Sequence, residues 1–133
     1  MSGVNFLAVI VAAFTAFVVS GLWYSPLLFG KQWLRLRGIA PDAVPKMRPP
    51  EVIGEILRTI IIAGVLAHFV VVIGISGFCG ALSLALWIWV GFYAMILVGS
   101  VLHDKVAWKL AAIHAGDGLV RIILMTIIIS IWR

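Results

Sequence analysis

Ionisable residues stand inside segments that are otherwise apolar. Glu55 and Arg58 open one of them, and His114, Asp117 and Arg121 interrupt another, "IHAGDGLVRII". At about 100° per residue, His114, Asp117, Gly118, Arg121 and Met125 fall on one helical face. Ala111, Ala112, Ala115 and Gly116 surround them with little bulk. Glu51, Glu55 and Arg58 likewise share a face. A charge at the centre of a bilayer costs from about 2.5 kcal/mol upward, so such groups turn inward and find partners. Asp117 and Arg121 have the i,i+4 spacing of a helical ion pair. Between the two segments, Arg58 with Asp117 and Glu55 with Arg121 are the expected matches, and the charges of these four residues cancel. At about 1.5 Å of rise per residue, Arg58 and Asp117 lie roughly 8–12 Å inside the cytoplasmic end, Glu55 shallower and Arg121 near the midplane.

Two kinds of chemistry suit this set. In one, Glu55, Arg58, His114, Asp117 and Arg121 line a cytoplasm-facing polar cavity that serves as a ligand or ion path, with His114 titrating beside it. In the other, the pairs lock two helices in one arrangement, which a buried pair can do without adding net stability. Catalysis has little support: no nucleophile–base pair, phosphate loop or metal motif is present, so no catalytic residue, cofactor or metal is expected. His68, His114 and Asp117 lack metal-ligand spacing. For His68, a hydrogen bond to a neighbouring carbonyl is the expected role.

The elements that must position these groups follow from composition. The chain has 133 residues, 64% hydrophobic and 11% charged. A soluble domain of ordinary composition is roughly half apolar and about a quarter charged, and a small one buries only part of its surface. Lipid is the natural solvent. Apolar runs cover about 5–24, 52–75, 79–102 and 110–132, each close to the roughly 20 residues a helix needs to cross the hydrocarbon core. The expectation is a single all-α domain over residues 1–133, an integral membrane four-helix bundle. The first run does not read as a signal peptide, since Met1-Ser-Gly-Val lacks a basic stretch and no small-x-small pattern precedes Trp23-Tyr-Ser-Pro26. The lone Cys79 excludes an internal disulfide.

Net charge is +5. Lys31, Arg35, Arg37, Lys46 and Arg48 lie between the first two runs, and Lys105 and Lys109 between the last two; the Ser76–Gly80 link has none. Retention of Lys and Arg on the cytoplasmic side accounts for this pattern and makes nucleic acid an unnecessary partner. Both termini are then extracytoplasmic, in a multi-pass protein of a bacterial inner membrane. The Lys31–Pro50 loop, with Pro41, Pro45, Pro49 and Pro50, is expected to be only partly ordered and to meet anionic headgroups.

Ala8, Ala12, Ala16 and Ser20 recur every fourth residue, a stripe of small residues that lets helices approach closely in lipid. Gly91 and Gly99 mark a similar edge on the third run. Trp87, Trp89, Phe92 and Tyr93 read as lipid contact or packing. A faint echo relates Gly21-Leu-Trp-Tyr24 to Gly91-Phe-Tyr93, each followed by a Trp near basic residues, Trp33 and Trp108.

The segment Gly21-Leu-Trp-Tyr-Ser-Pro-Leu-Leu-Phe-Gly-Lys-Gln-Trp33 is distinctive. Pro26 lacks an amide proton and biases Ser25 away from helical angles, so the first helix ends or bends there. Trp23, Tyr24 and Trp33 suit the membrane interface, Leu27-Leu-Phe29 can dip into it, and Gly30 can close the turn. This interfacial motif (Trp23, Tyr24, Ser25, Pro26, Gly30, Trp33) resembles the signature of a family of small bacterial four-helix membrane proteins catalogued as domain of unknown function seventeen sixty-one. The resemblance covers nearly the whole chain and includes a closing pattern near Trp108-Lys-Leu-Ala-Ala-Ile-His-Ala-Gly116. It implies a membrane location and four helices, and it implies no activity. The family's last span is closer to Ile-Asn-Ala-Gly-Tyr where this chain has Ile113-His-Ala-Gly-Asp117, which assigns the His and Asp to a subgroup.

The leading expectation is a transporter or channel subunit, acting as a homo-oligomer because four helices rarely enclose a path alone. The alternative is a structural or accessory subunit with a membrane partner, whose buried charges only fix helix packing. In size the chain resembles the small multidrug-resistance exporters. Their essential first-span Glu has no counterpart here, since residues 5–24 contain no carboxylate.

Overall fold

The computed structural model describes residues 3–40 and 48–132. Met1, Ser2, Pro41, Pro45 and Lys46, which entered the readings of the amino end and of the basic loop, lie outside the described residues. The chain is all-helical. It runs α1 (Phe6–Trp23), α2 (Gly30–Leu36), α3 (Pro49–Ile73), α4 (Gly77–Ile88), a π-helical turn (Trp89–Ala94), α5 (Met95–His103) and α6 (Trp108–Ile131). Helix α4, the π turn and α5 are continuous, so the described residues contain four helices long and apolar enough to cross a membrane.

Helix ends follow local chemistry. The Asn5 carboxamide caps α1, its Oδ1 accepting from the amides of Leu7 and Ala8 at 3.1 and 3.2 Å. Its Nδ2 donates to the Trp132 carbonyl at 3.1 Å, tying the start of α1 to the end of α6. Helix α3 begins at Pro49, earlier than the apolar run, because proline fits a first helical turn whose amides need no partner. It ends at Gly74, whose φ of 79° is the left-handed conformation that glycine adopts freely. Helix α4 starts at Gly77, which leaves a link shorter than the sequence suggests.

Packing is inverted relative to a soluble protein. Phe6, Phe14, Ile61, Val72, Trp87, Phe92 and Ile96 are exposed, as a lipid-facing surface requires. Ala8, Ala12 and Ala16 are fully buried, so the small-residue stripe is a seam along which α1 meets α3 and α6. Val9, Leu66, Ala67, Val70, Met125 and Ile129 fill the half of the core nearest the start of α1. Helix α6 is the central element: 44% of its most apolar window is buried, against 11% for the α4–α5 span. Gly91 and Gly99 do not form a second seam; a methyl group built on either meets open space.

The basic loop contributes a helix that its prolines did not suggest. Its first part folds as α2, which packs on α6 with Trp33, Leu34 and Leu36 half-buried. The Arg37 guanidinium lies 5.1 Å from the centre of the Trp33 ring. Apolar side chains at helical spacing prevail there over the prolines that follow. The entry to α2 depends on Gly30. Its amide donates to the Ser25 carbonyl at 2.9 Å, and an added methyl group would collide with the Tyr24 carbonyl oxygen and lie 2.7 Å from the Ser25 carbonyl carbon. Backbone cannot swing aside as a side chain can. Gly30→Ala is therefore expected to cost about 2 kcal/mol, within the usual range for overpacking, read as a lower unfolding midpoint in detergent. An unchanged midpoint would show that the elbow is loose.

Candidate functional site

Helix α6 brings the polar groups together because it packs against all three other spans. Asp117 and Arg121 are each 3% exposed. Their closest charged atoms, Oδ2 and Nη1, are 3.8 Å apart. The same Nη1 lies 3.6 Å from Glu55 Oε1 on α3. These gaps are longer than good hydrogen bonds, so the attraction between the charges is coulombic and is strengthened by low-dielectric surroundings. Hydrogen bonding comes from two neutral hydroxyls. Ser20 Oγ on α1 donates to Asp117 Oδ1 at 2.7 Å, and Arg121 Nη2 donates to Thr59 Oγ1 on α3 at 2.8 Å. Thr59 Oγ1 in turn donates to the Glu55 carbonyl at 2.8 Å. One carboxylate and one guanidinium thus join three helices.

Of the expected interhelical pairs, Glu55 with Arg121 is formed and Arg58 with Asp117 is not. Arg58 turns outward, its side chain 52% exposed, and grips Glu55 on its own helix at 2.7 and 3.0 Å. The i,i+3 geometry on α3 satisfies it locally, and Ser20 and Arg121 already occupy Asp117. His114 stands at the edge of the cluster, with Nδ1 2.5 Å from Tyr24 Oη. The side on which their shared hydrogen sits depends on the imidazole tautomer. His68 is exposed on α3 and, among the described residues, makes no hydrogen bond to a carbonyl. Among the described residues no three His, Cys, Asp or Glu side chains group closely enough to hold a metal ion.

Residues assigned to the membrane interface turn out to dock on α6. Trp23 Nε1 donates to the Ile113 carbonyl at 3.0 Å. Its ring fills the space over Gly116, where an added methyl would lie 2.6 Å from Cζ2. Phe29 stacks on Trp23 with centroids 4.6 Å apart, and Trp33 lies 5.3 Å from Tyr24. Ser25 Oγ donates to the Leu22 carbonyl at 2.6 Å. The α4–α5 span mirrors this arrangement. Trp89 Nε1 donates to the Ala115 carbonyl at 2.9 Å, and the Tyr93 ring occupies the space in front of Gly118. Trp87 and Phe92 face outward. An aromatic pair on each side thus clamps the same turn and a half of α6, but the sequence echo does not describe it: Phe92, which the echo matches to Trp23, faces outward, and Trp89, outside the echo, takes that place. Ser20, Thr59, Trp89 and Tyr93 were not singled out as site residues. Ser20 continues the α1 stripe by spacing alone, and the i,i+4 spacing of Trp89 and Tyr93 was the available signal for the second clamp.

The aromatics Trp23 and Tyr93 fill the room that Gly116 and Gly118 leave on α6. One cavity, about 570 Å³, is lined by Trp23, Arg35, Trp108 and Lys109 among others. A second, about 200 Å³, touches Tyr93, Gly118 and Arg121. A third, about 300 Å³, is an apolar cleft between α5 and α6. Of the five residues expected to line a polar cavity, Arg121 borders one of these three, and Glu55, Arg58, His114 and Asp117 border none of them.

No curated protein and no solved structure matches the chain. One family model does, over residues 7–130, and its description reads "Protein of unknown function (DUF1761)".

Proposed function

We propose, from the premise that the chain belongs to the DUF1761 family, that it is a structural or accessory subunit of the bacterial inner membrane whose buried charges fix helix packing. The observation that carries this reading is where the polar network stops. Counted from the start of α6, Arg121 is its deepest member, roughly 20 Å along the helix. Beyond it, Val9, Leu66, Val70, Met125 and Ile129 form an apolar core. The hydroxyls of Thr126 and Ser130 are spent on the Ile122 and Gly77 carbonyls. Among the described residues of that half, a charge moving past Arg121 would meet apolar side chains and hydroxyls whose protons are already donated, and hydrocarbon offers no partner. The proposal includes a partner in the bilayer, either a second copy or another membrane protein.

A second reading, a transporter or channel subunit, is favoured by one observation. Among the described residues, Arg121 Nε is a buried polar atom without a hydrogen-bond partner, and Arg121 borders the 200 Å³ cavity. Flux in liposomes separates the two readings. The reconstituted chain is expected to pass protons and potassium no faster than empty liposomes. Flux above that level, abolished by Asp117→Asn, would overturn the structural reading.

Orientation is part of the proposal. Lys31, Arg35 and Arg37 of the first basic loop and Lys105 and Lys109 of the second fall at the same end of the bundle, which the positive-inside rule places in the cytoplasm. A reporter inserted near Asp42 is expected to read as cytoplasmic, and one fused after Arg133 as extracytoplasmic. The opposite result at both positions would reverse the topology.

A further inference from the structure

We propose that the groove between the α1–α2 elbow and the start of α6 binds a single anionic phospholipid. Its charged and apolar residues are sorted along the membrane normal. Arg35 on α2 and Lys109 on the first turn of α6 form the rim, while Trp23, Ile113 and Gly116 form the deeper wall. From Lys109 to Gly116 is seven residues of helix, roughly 10 Å of depth. That spacing places a headgroup phosphate at the cations and the first part of an acyl chain against the aromatic and small side chains. The volume, about 570 Å³, admits such a segment.

The charge of the rim selects the occupant. Among the described residues no carboxylate lines the groove. Among the described residues, neither Arg35 nor Lys109 belongs to an ion pair. Lys109 Nζ rests 5.8 Å from the centre of the Trp108 ring, a contact that leaves its protons available. Arginine grips a phosphate with a planar fork, and lysine adds a compact charge. A zwitterionic headgroup would bring its own ammonium to the same rim and lose most of that attraction. Trp108 is 67% exposed at the mouth, where an indole suits the boundary between headgroup and acyl chain. The groove is separate from the Asp117–Arg121 network, so this inference does not depend on the function proposed for that network.

The test uses the full chain in nanodiscs of phosphatidylcholine doped with phosphatidylglycerol, either lipid carrying a brominated acyl chain. Quenching of Trp108, isolated by difference from Trp108→Phe, locates the bound lipid, and native mass spectrometry counts it. The expected preference for phosphatidylglycerol is about thirtyfold, from roughly fivefold per cation near the surface. Arg35→Gln with Lys109→Gln should abolish it. Ala112→Phe, which narrows the groove at an exposed wall position without altering charge, should remove the Trp108 quenching. That variant keeps the test open should the double variant fail to fold. Lys31→Gln with Arg37→Gln, which alters cations outside the groove, should leave the preference within about twofold. An equal loss in that control would mean diffuse attraction by the basic loop and would overturn the site. Equal retention of the two lipids, or displacement of the lipid by millimolar inorganic phosphate, would overturn it as well.

Discussion

Arg121→Leu is expected to destabilise the chain by about 3–5 kcal/mol, the usual consequence of stripping one partner from a buried ion pair. Asp117→Asn is expected to cost less, about 1–3 kcal/mol, in the range for a lost charge-assisted bond. The asymmetry follows from what each variant leaves behind. Without Arg121, the Asp117 carboxylate, 3% exposed, has only the Ser20 hydroxyl. Without the Asp117 charge, Arg121 keeps Glu55 at 3.6 Å and Thr59 at 2.8 Å, and an asparagine can still accept from Ser20. Glu55 loses little in either case because Arg58 holds it. Chemical unfolding of both variants in one detergent measures the difference. Asp117→Asn proving the worse of the two would mean that Glu55 does not share in neutralising Arg121.

The second large effect is expected at Gly118. The position its side chain would occupy is filled by the Tyr93 ring, and Gly118 is buried on the central helix. The ring would have to leave this contact for a larger side chain to fit. Gly118→Val is expected to cost about 3 kcal/mol, the upper part of the overpacking range. Combining it with Tyr93→Ala should give less than the sum of the single effects, since each change relieves the other. Strict additivity in the unfolding free energies would show that Tyr93 does not pack there.

Much of the architecture was legible because lipid imposes simple demands. Apolar runs of about the right length located the four long helices, and their ends moved by only a few residues when proline or glycine chemistry was felt. Periodicity placed Asp117, Gly118, Arg121 and Met125 on one buried face. It placed Ala8, Ala12 and Ala16 on another. Pairing was harder to read. Arg58 was matched to Asp117 by depth and charge alone, whereas its i,i+3 neighbour Glu55 satisfies it more cheaply. Ser20 and Thr59 were missed as network members because a hydroxyl in an apolar run ordinarily returns its bond to its own helix, as Thr15 does to the Val11 carbonyl. The small residues around the charges suggested a cavity. What they accommodate is the aromatic pair Trp23 and Tyr93, from spans whose relative placement no local pattern encodes. Trp23 itself was assigned to the interface by type, and only the bundle shows that its indole reaches the Ile113 carbonyl.

The claim that the buried charges serve packing is tested most directly by the unfolding free energy of Asp117→Leu combined with Arg121→Leu. Both charges then leave together, and the site becomes an apolar contact between α1, α3 and α6. Replacing a buried pair by apolar side chains is often neutral or stabilising. The account predicts that the double variant recovers to within about 1 kcal/mol of the native chain, far above Arg121→Leu alone. A double variant as unstable as Arg121→Leu would contradict it.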